Sequence, residues 1–395
     1  MANSIRTGER TPLPGDGEAG EAMNGVSYWH FCAVGATMVM SVLNGLEEIV
    51  MSCRNTCSIL RFPSPWVTTC IALLSLVFCS AASGQDARRG DVDVDVMLSA
   101  IVNVRMKALP DARSNATLGA ERQGSGVVID DKGHILTIGY IVTEADAIEV
   151  TTQKGRTVPA VLQAYDHATG FALLQAGMPL EVTPVTLGDS AALALREPVM
   201  VLPAGGREAA SIAYVVSKRT FTGGWEYLLD TAIFTSPPTM QWAGAALINH
   251  DGKLVGIGSL LVRDSVEPGT PLPGNMFVPI DTVKPILADL IEKGRRSGPV
   301  QPWLGMSTEE AQGRLFVTRV SPGGPAERAG VRRGDLVLGV GSTAVKSLEE
   351  FYRSMWALGA AGVDIPLKML QGADLREVRV RSMDRLDYFR EKPAL

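Results

Sequence analysis

The sequence predicts an all-β protein that continues into a smaller α+β domain, both behind a leader. At 395 residues the chain exceeds one ordinary domain, so two folded domains are expected. The 41 glycines and 23 prolines are spread along the chain, as many turns require. Short apolar runs bounded by turn residues predict strands, and an amphipathic helix is predicted at Ser347–Leu358.

Composition and charge exclude several classes of function. Hydrophobic residues make up 46% of the chain and charged residues 20%, which is typical of a globular protein. The net charge is −5 and there is no basic block, so nucleic acid is not an expected partner. No cofactor and no metal site are predicted. The part of the chain after residue 84 has no cysteine, which excludes disulfides and thiolate chemistry there. The five cysteines are Cys32, Cys53, Cys57, Cys70 and Cys79.

The first 85 residues are interpreted as a leader. Residues 1–50 are expected to be disordered or to precede the true start, which would then be Met51. Residues 51–85 have the pattern of a signal peptide, because the apolar run Trp66–Ser83 ends in small residues. The alternative is that residues 66–83 are retained as a membrane anchor. Either interpretation predicts an exported protein, periplasmic or in the cell envelope.

The predicted β domain begins with alternating residues at Ser99–Met106. A hairpin over Gly124–Thr137 follows, with Asp-Lys-Gly at its turn. A second hairpin joins Ala246–Ile248 to Leu254–Ile257 through an Asn-His-Asp-Gly turn, and Gly accepts the positive φ that a tight turn needs.

These segments resemble the HtrA (Deg) family of trypsin-like serine proteases. The first hairpin is similar to the family's Gly-Ser-Gly motif, Asp166–Leu174 to its Asp-x-x-x-Asp-Leu-Ala-Leu-Leu, and the second hairpin to the segment after its nucleophile. The resemblance implies a trypsin-like double β-barrel over residues 86–296. It also places Tyr140 at the position of the family's histidine base, Gly170 at that of its aspartate and Ala243 at that of its serine.

Those three residues predict that the family's reaction is lost. A serine hydrolase needs a hydroxyl, a base and a carboxylate that orients the base. Ala243 and Gly170 cannot supply the first or the last, and tyrosine is protonated at neutral pH. No catalytic residue is therefore assigned, and Tyr140, Gly170 and Ala243 are degenerate positions.

The surroundings of Ala243 predict a poorly formed oxyanion site. Gln241 stands where the family has glycine, and Pro237 and Pro238 lack N–H donors, so the N–H of Ala243 is the donor expected to remain. Ser236 is interpreted as an ordinary polar loop residue. The four histidines lack metal-ligand spacing and are each predicted to lie at the surface: His30, His134, His167 and His250.

Residues 297–385 resemble a PDZ domain, most specifically over Val320–Leu338. In that family a glycine-containing loop binds a terminal carboxylate, and an adjacent strand edge pairs with the peptide. A helix forms the other wall of the groove, and four apolar side chains of the predicted helix 347–358 are interpreted as this wall or, alternatively, as core. The predicted peptide-binding residues are Trp303, Leu304, Gly305, Met306, Leu348, Phe351 and Met355.

The leading hypothesis is an exported pseudoprotease that binds C-termini or unfolded segments of partner proteins as a scaffold, chaperone or regulator. A homotrimer is a possible assembly, as the resemblance implies, and a membrane is a partner only if residues 66–83 remain. One alternative is an active serine endopeptidase that uses non-standard residues. Another is a structural envelope protein with an occluded groove. Peptide binding without turnover would distinguish the first hypothesis from both alternatives.

Overall fold

The computed structural model describes residues 93–389, all of which fall within one compact unit of the chain, Arg88–Leu395. The predictions for residues 1–50 and for the signal peptide, 51–85, lie outside the described residues, as do all five cysteines.

The described chain opens with helix α1, Val94–Ser99, whose N-terminal N–H groups are capped by the side chain of Asp93. The first strand therefore begins two residues later than the alternation predicted. Six antiparallel strands then close into a barrel in the order β1-β2-β3-β6-β5-β4. They are β1 Ile101–Ala108, β2 Glu121–Val128, β3 His134–Ile138, β4 Ala145–Thr151, β5 Thr157–Tyr165 and β6 Phe171–Ala176. Two one-turn helices interrupt them, α2 Asn115–Leu118 and α3 Gly139–Val142.

A second barrel of six strands follows in the order β10-β11-β12-β9-β8-β7. Its strands are β7 Pro198–Leu202, β8 Ser211–Gly223, β9 Tyr227–Ser236, β10 Ala246–Ile248, β11 Leu254–Val262 and β12 Gly274–Pro279. Two 3-10 turns and helix α4, Leu287–Lys293, end this part of the chain. The hairpin predicted from its Asp-Gly turn is β10–β11, with Ala246 opposite Ile257.

Strands β10 and β12 of the second barrel are buried along their whole length. In β10, Leu247 belongs to a hydrophobic cluster of this barrel's own, whereas Ala246 and Ile248 belong to the larger cluster that includes the first barrel's core. Because successive side chains point to opposite faces, one strand contributes to both clusters. This explains why the segment reads as a continuous apolar run rather than an alternating one.

The remaining chain forms the predicted α+β domain. Its six-stranded sheet has the order β13-β14-β15-β17-β18, with β16 beside β15. The strands are β13 Met306–Ala311, β14 Arg314–Val320, β15 Leu336–Val340, β16 Thr343–Ala344, β17 Asp364–Gln371 and β18 Asp374–Arg381. The helices are α5 Pro325–Arg328, α6 Leu348–Trp356 and α7 Arg385–Tyr388. Ser347 caps α6 through the N–H of Glu350, so the predicted helix is confirmed.

One glycine-dependent contact, between Ser125 and the segment Ala243–Gly244, joins the two barrels beside the candidate site. The N–H of Ser125 donates to the carbonyl oxygen of Ala243 at 2.8 Å, and Thr137 Oγ1 donates to the carbonyl of Ser125 at 2.7 Å. Gly244 has φ +74°, and a Cβ there would lie 1.9 Å from the Ser125 carbonyl oxygen. Only glycine fits this approach.

Within residues 93–389, no helix has the length and apolar composition needed to cross a membrane. The same residues contain no group of three or more His, Asp or Glu side chains arranged to hold a metal ion.

Candidate functional site

The three degenerate positions lie on one cavity of about 1270 Å³, lined by residues of both barrels and of the C-terminal domain. Tyr140, Gly170 and Ala243 all contribute to its wall. Residues more than a hundred positions apart in the sequence therefore meet at one surface, as the alignment of the motifs with the family implies. Much of the remaining wall is aromatic: Tyr165, Trp225, Tyr227, Trp242, Trp303, Tyr388 and Phe389.

Tyr140 lies in helix α3 and its hydroxyl donates to the carbonyl oxygen of Ser259 at 2.8 Å. Burial raises the pKa of this phenol further above its ordinary value of 10. A group that is protonated at neutral pH, and whose proton is already donated, cannot accept a proton from a nucleophile.

A side chain at Gly170, where the family has a carboxylate, would be strained and crowded. The φ of Gly170 is +84°, and a Cβ would lie 3.0 Å from the hydroxyl oxygen of Tyr227. That hydroxyl donates to the carbonyl of Thr169 at 2.6 Å and is fixed in place. The phenol of Tyr227 thus occupies the space beside the former acid position.

Ala243 presents a methyl group where the family has its nucleophile. The neighbouring N–H groups are used internally, since Gly244 donates to Gly258 at 2.9 Å and Ala245 donates to Trp242 at 3.1 Å. The arrangement supplies no hydroxyl at this position and directs these two donors into the protein.

Two of the three described histidines contradict the prediction that all four histidines lie at the surface. His250 is exposed as predicted, with Nδ1 3.0 Å from a carboxylate oxygen of Glu197. His134 is only 4% exposed and Nδ1 lies 2.5 Å from Oδ2 of Asp130, four residues earlier, so its prediction was wrong. His30 lies outside the described residues.

His167 was also wrongly predicted to be a surface residue. Its ring packs between Tyr165 and Phe389, with ring centroids 3.9 Å and 5.6 Å away. Both ring nitrogens are buried, and neither has a hydrogen-bond partner among residues 93–389. Burial, with a smaller contribution from Arg385, holds the pKa of His167 well below its ordinary value, so the ring is neutral.

The predicted carboxylate-binding loop does bind a carboxylate, and that carboxylate belongs to this chain. The N–H of Leu304 donates to Oε2 of Glu226 at 2.8 Å, while the N–H groups of Gly305 and Met306 donate to Oε1 at 2.8 Å and 3.0 Å. Glu226 lies in the turn between β8 and β9 of the second barrel. The motifs gave no indication of this residue, which is separated from the loop by almost eighty positions.

The backbone of the same turn lies along β13, the edge strand of the C-terminal sheet. The N–H of Thr308 donates to the carbonyl of Gly224 at 2.8 Å. Across the turn, the hydroxyl of Tyr352 in α6 donates to the carbonyl of Gly223 at 2.8 Å and accepts from the N–H of Glu226 at 3.2 Å. The turn therefore contacts the loop, the edge strand and the helix, which are the three parts predicted to form a peptide groove.

The apolar residues predicted for the groove wall are buried. Phe351 and Met355 are 0% exposed and Leu348 is 7% exposed, all within the hydrophobic core of the C-terminal domain. Trp303 packs against Tyr388 with ring centroids 4.7 Å apart. These contacts fit the core alternative, and a role of these side chains in peptide binding remains a prediction. Tyr352, on the same helix, makes the polar contacts to the turn.

Burial raises the pKa of the Glu226 carboxyl from 4.5 to about 7; the three N–H donors and the charge of Arg385 offset burial only in part. A group whose pKa is raised by folding stabilises the folded state at pH values below its pKa in the unfolded chain. This stabilisation is lost as the pH rises through the pKa of the group in the folded state.

We therefore expect a pH-dependent difference between the wild-type chain and Glu226→Gln. The free energy of unfolding of the wild type, relative to the variant, should fall by about 2 kcal/mol between pH 5 and pH 8. Denaturant titrations of both chains at each pH measure this, and groups common to both chains cancel. A difference that stays constant or grows with pH would contradict the burial of an ionisable Glu226.

Comparisons with known proteins agree with this architecture. Residues 124–257 match the family model described as a trypsin-like peptidase domain, and residues 316–356 match that of a PDZ domain. The probable periplasmic serine protease do/HhoA-like of Haemophilus influenzae is 26% identical over 275 residues, covering 65% of this chain and 57% of that protein.

Two further relatives extend the comparison. The serine protease Do-like HtrA of Lactobacillus helveticus is 25% identical over 272 residues, covering 62% of this chain and 64% of that protein. The serine endoprotease DegS of Escherichia coli strain K12 is 28% identical over 270 residues, covering 63% of this chain and 74% of that protein. The chain thus spans less than two thirds of the length of the first two relatives.

The two closed barrels and the following sheet with its groove helix define a trypsin-like peptidase domain followed by a PDZ domain. These matches support an HtrA-type serine protease family for the chain.

Proposed function

We propose that this chain is an exported, catalytically inert HtrA-type protein that binds C-termini or extended segments of partner proteins through its PDZ groove. The observation that best supports this proposal is that the N–H groups of Leu304, Gly305 and Met306 all donate to one carboxylate, that of Glu226. A loop that already binds a side-chain carboxylate in this geometry has the donors needed for the terminal carboxylate of a peptide.

The loss of catalysis is supported by the contacts of the three degenerate positions. Tyr140 donates its proton to the Ser259 carbonyl, Gly170 faces the Tyr227 hydroxyl, and Ala243 carries no hydroxyl. Peptide hydrolysis by other residues is the alternative function. It would need a hydroxyl bonded to a base, and the histidine of this cavity, His167, is buried without a hydrogen-bond partner in the described part of the chain.

Export is supported by the signal-like leader and by the relative from Haemophilus influenzae, which is described as a probable periplasmic protease. A periplasmic or envelope location would expose the groove to proteins with free C-termini. Action as a scaffold, chaperone or regulator, and assembly as a homotrimer, are parts of the same proposal.

The carboxylate dependence of peptide binding tests this function. A free-acid decapeptide selected from a library with random C-termini should bind the full chain. Its amide should bind about 10- to 150-fold more weakly, since hydrogen bonds to a charged group contribute about 1.5–3 kcal/mol. Fluorescence anisotropy with the two peptides measures the ratio. Equal affinities would contradict capture by the carboxylate loop.

Two glycines of the PDZ domain offer a matched control. At Gly305, φ is +79° and a Cβ would lie 3.0 Å from the Trp303 ring, whereas Gly313, with φ +67°, has no atom within 4 Å of its Cβ position. Gly305→Ala should weaken free-acid binding by about tenfold, because the donors move, while Gly313→Ala should leave it unchanged. Equal losses would show that the effect is one of general stability.

A further inference from the structure

The turn between β8 and β9 has the features of a ligand that was shaped for the PDZ groove. We propose that Gly223–Glu226 is an internal ligand of this groove, which an external peptide carboxylate must displace before it can bind. This proposal rests on the proposed peptide capture, and it assigns the regulation of that site.

The carboxylate of Glu226 takes the place of a peptide's C-terminus. It accepts all three N–H groups of the loop at 2.8–3.0 Å, and its side chain is 8% exposed. A second carboxylate cannot share these donors without leaving one negative charge buried and unpaired. Occupancy by Glu226 and by a peptide C-terminus is therefore mutually exclusive.

Gly224, two positions before Glu226, takes the place of the backbone of a bound peptide. The carbonyl of Gly224 accepts from the N–H of Thr308 in the edge strand, as an added strand would. A Cβ at Gly224 would lie 2.3 Å from the Thr308 carbonyl oxygen, so only glycine permits this approach. The complementarity thus extends along the strand and is not limited to one ion contact.

The backbone of Glu226 itself is held in a conformation that favours glycine. Its φ is +60°, a strained value that is uncommon for a residue with a side chain. Such a conformation persists when surrounding contacts fix it. Here the fixing contacts are the three loop N–H groups and the Tyr352 hydroxyl, which accepts from the Glu226 N–H. Displacement of the carboxylate would relieve this strain.

Two further contacts join the turn and the start of β9 to the PDZ domain, and they indicate what would change if a peptide displaced the turn. Arg353 of α6 pairs with Asp230 of β9 at 2.6 Å, and Arg385 donates to the carbonyl of Trp225 at 3.2 Å. Trp225 and Tyr227 also line the cavity that contains the degenerate positions. Release of the turn would therefore alter that cavity together with the groove.

Hydrogen exchange of the full chain, with and without peptide, tests this proposal. In Glu226→Ala the amides of Leu304, Gly305 and Met306 should exchange at least tenfold faster than in the wild type. The amide of Val317, which donates to Asp335 at 2.8 Å within the PDZ domain, should not change and reports that the domain stays folded. Glu208→Ala removes an exposed carboxylate from the same barrel and is the matched control.

Peptide binding is measured on the same chains. The probe is a decapeptide with the sequence of residues 216–225, in which the C-terminus is the only carboxylate of the peptide, labelled at its N-terminus with a dye that has no carboxylate. Glu226→Ala should bind it about 10- to 100-fold more tightly than the wild type, because the groove no longer has to be vacated. Gly224→Ala, which leaves the carboxylate in place, should increase the affinity in the same direction. The peptide selected from the random library serves as a second probe.

The outcomes separate this proposal from the proposed function. Unchanged exchange and unchanged affinity in Glu226→Ala would overturn the internal ligand, while peptide binding by all chains would still support peptide capture. Faster exchange with no binding of either probe would support the internal contact and overturn peptide capture. Faster exchange with tighter binding supports both.

Discussion

A chain that carries Tyr140→His, Gly170→Asp and Ala243→Ser together should turn over substrate at less than about one hundredth of the rate of an active HtrA-type protease. Position 170 has φ +84°, which disfavours aspartate, and the new Cβ would lie 3.0 Å from the Tyr227 hydroxyl. The new carboxylate would therefore not reach the orientation that fixes a histidine tautomer. Casein turnover, with an active HtrA-type protease as positive control, measures the result.

The oxyanion segment adds a second obstacle to restored activity. The N–H of Gln241, which stands where the family has glycine, donates to Thr239 Oγ1 at 3.3 Å, and loss of one preorganised donor alone costs about 10²–10³-fold in rate. We expect turnover below about one hundredth of that of the active control. Turnover within about tenfold of that control would show that the three side chains were the only defect.

Gly244→Ala should lower the free energy of unfolding by about 2–5 kcal/mol. The Cβ would lie 1.9 Å from the Ser125 carbonyl oxygen and 2.9 Å from Thr137 Oγ1, so one barrel must move relative to the other. Overpacking costs about 1–3 kcal/mol, and the left-handed backbone adds about 1–2 kcal/mol for alanine. Denaturant titration followed by circular dichroism measures the loss.

Gly155 provides the control for that substitution. Its φ is +79°, close to that of Gly244, but no atom lies within 4 Å of its Cβ position. Gly155→Ala should therefore cost only the backbone term of about 1–2 kcal/mol. Equal losses at the two positions would show that the contact between Gly244 and Ser125 does not hold the barrels together.

Much of the fold could be predicted because its signals are local. The Asp-Gly turn specified the β10–β11 hairpin, and the spacing of Leu348, Phe351 and Met355 specified helix α6. The first strand was misplaced by two residues because Asp93 caps a short helix that the alternation of the following residues concealed.

The contacts that define the candidate site are not local, and the sequence predicted them only in part. The segment Trp303–Met306 was predicted from its resemblance to the carboxylate-binding loop of PDZ domains. Its ligand Glu226 comes from another domain, and no local pattern connects the two. The Gly223-Gly224 pair in front of an acidic residue is the only signal in the sequence. It indicates a turn, but not the strand against which that turn packs.

Burial of the histidines was missed for a related reason. His134 is buried because Asp130, four residues earlier, reaches its ring nitrogen across a hairpin turn. His167 is covered by Phe389, which lies more than two hundred residues later in the chain. A residue type that is often exposed is thus buried by contacts that only the tertiary structure creates.

Peptide binding without cleavage, as proposed for this chain, is tested most directly by mass spectrometry of its peptide complex. The wild-type chain is incubated with the selected free-acid decapeptide, then treated with a fluorophosphonate, and the masses of both components are recorded. We expect the peptide to be recovered intact and the chain to carry no adduct, since Ala243 offers no activated hydroxyl. Peptide fragments, together with an adduct that disappears when Ser236 or another single serine is changed, would contradict the account.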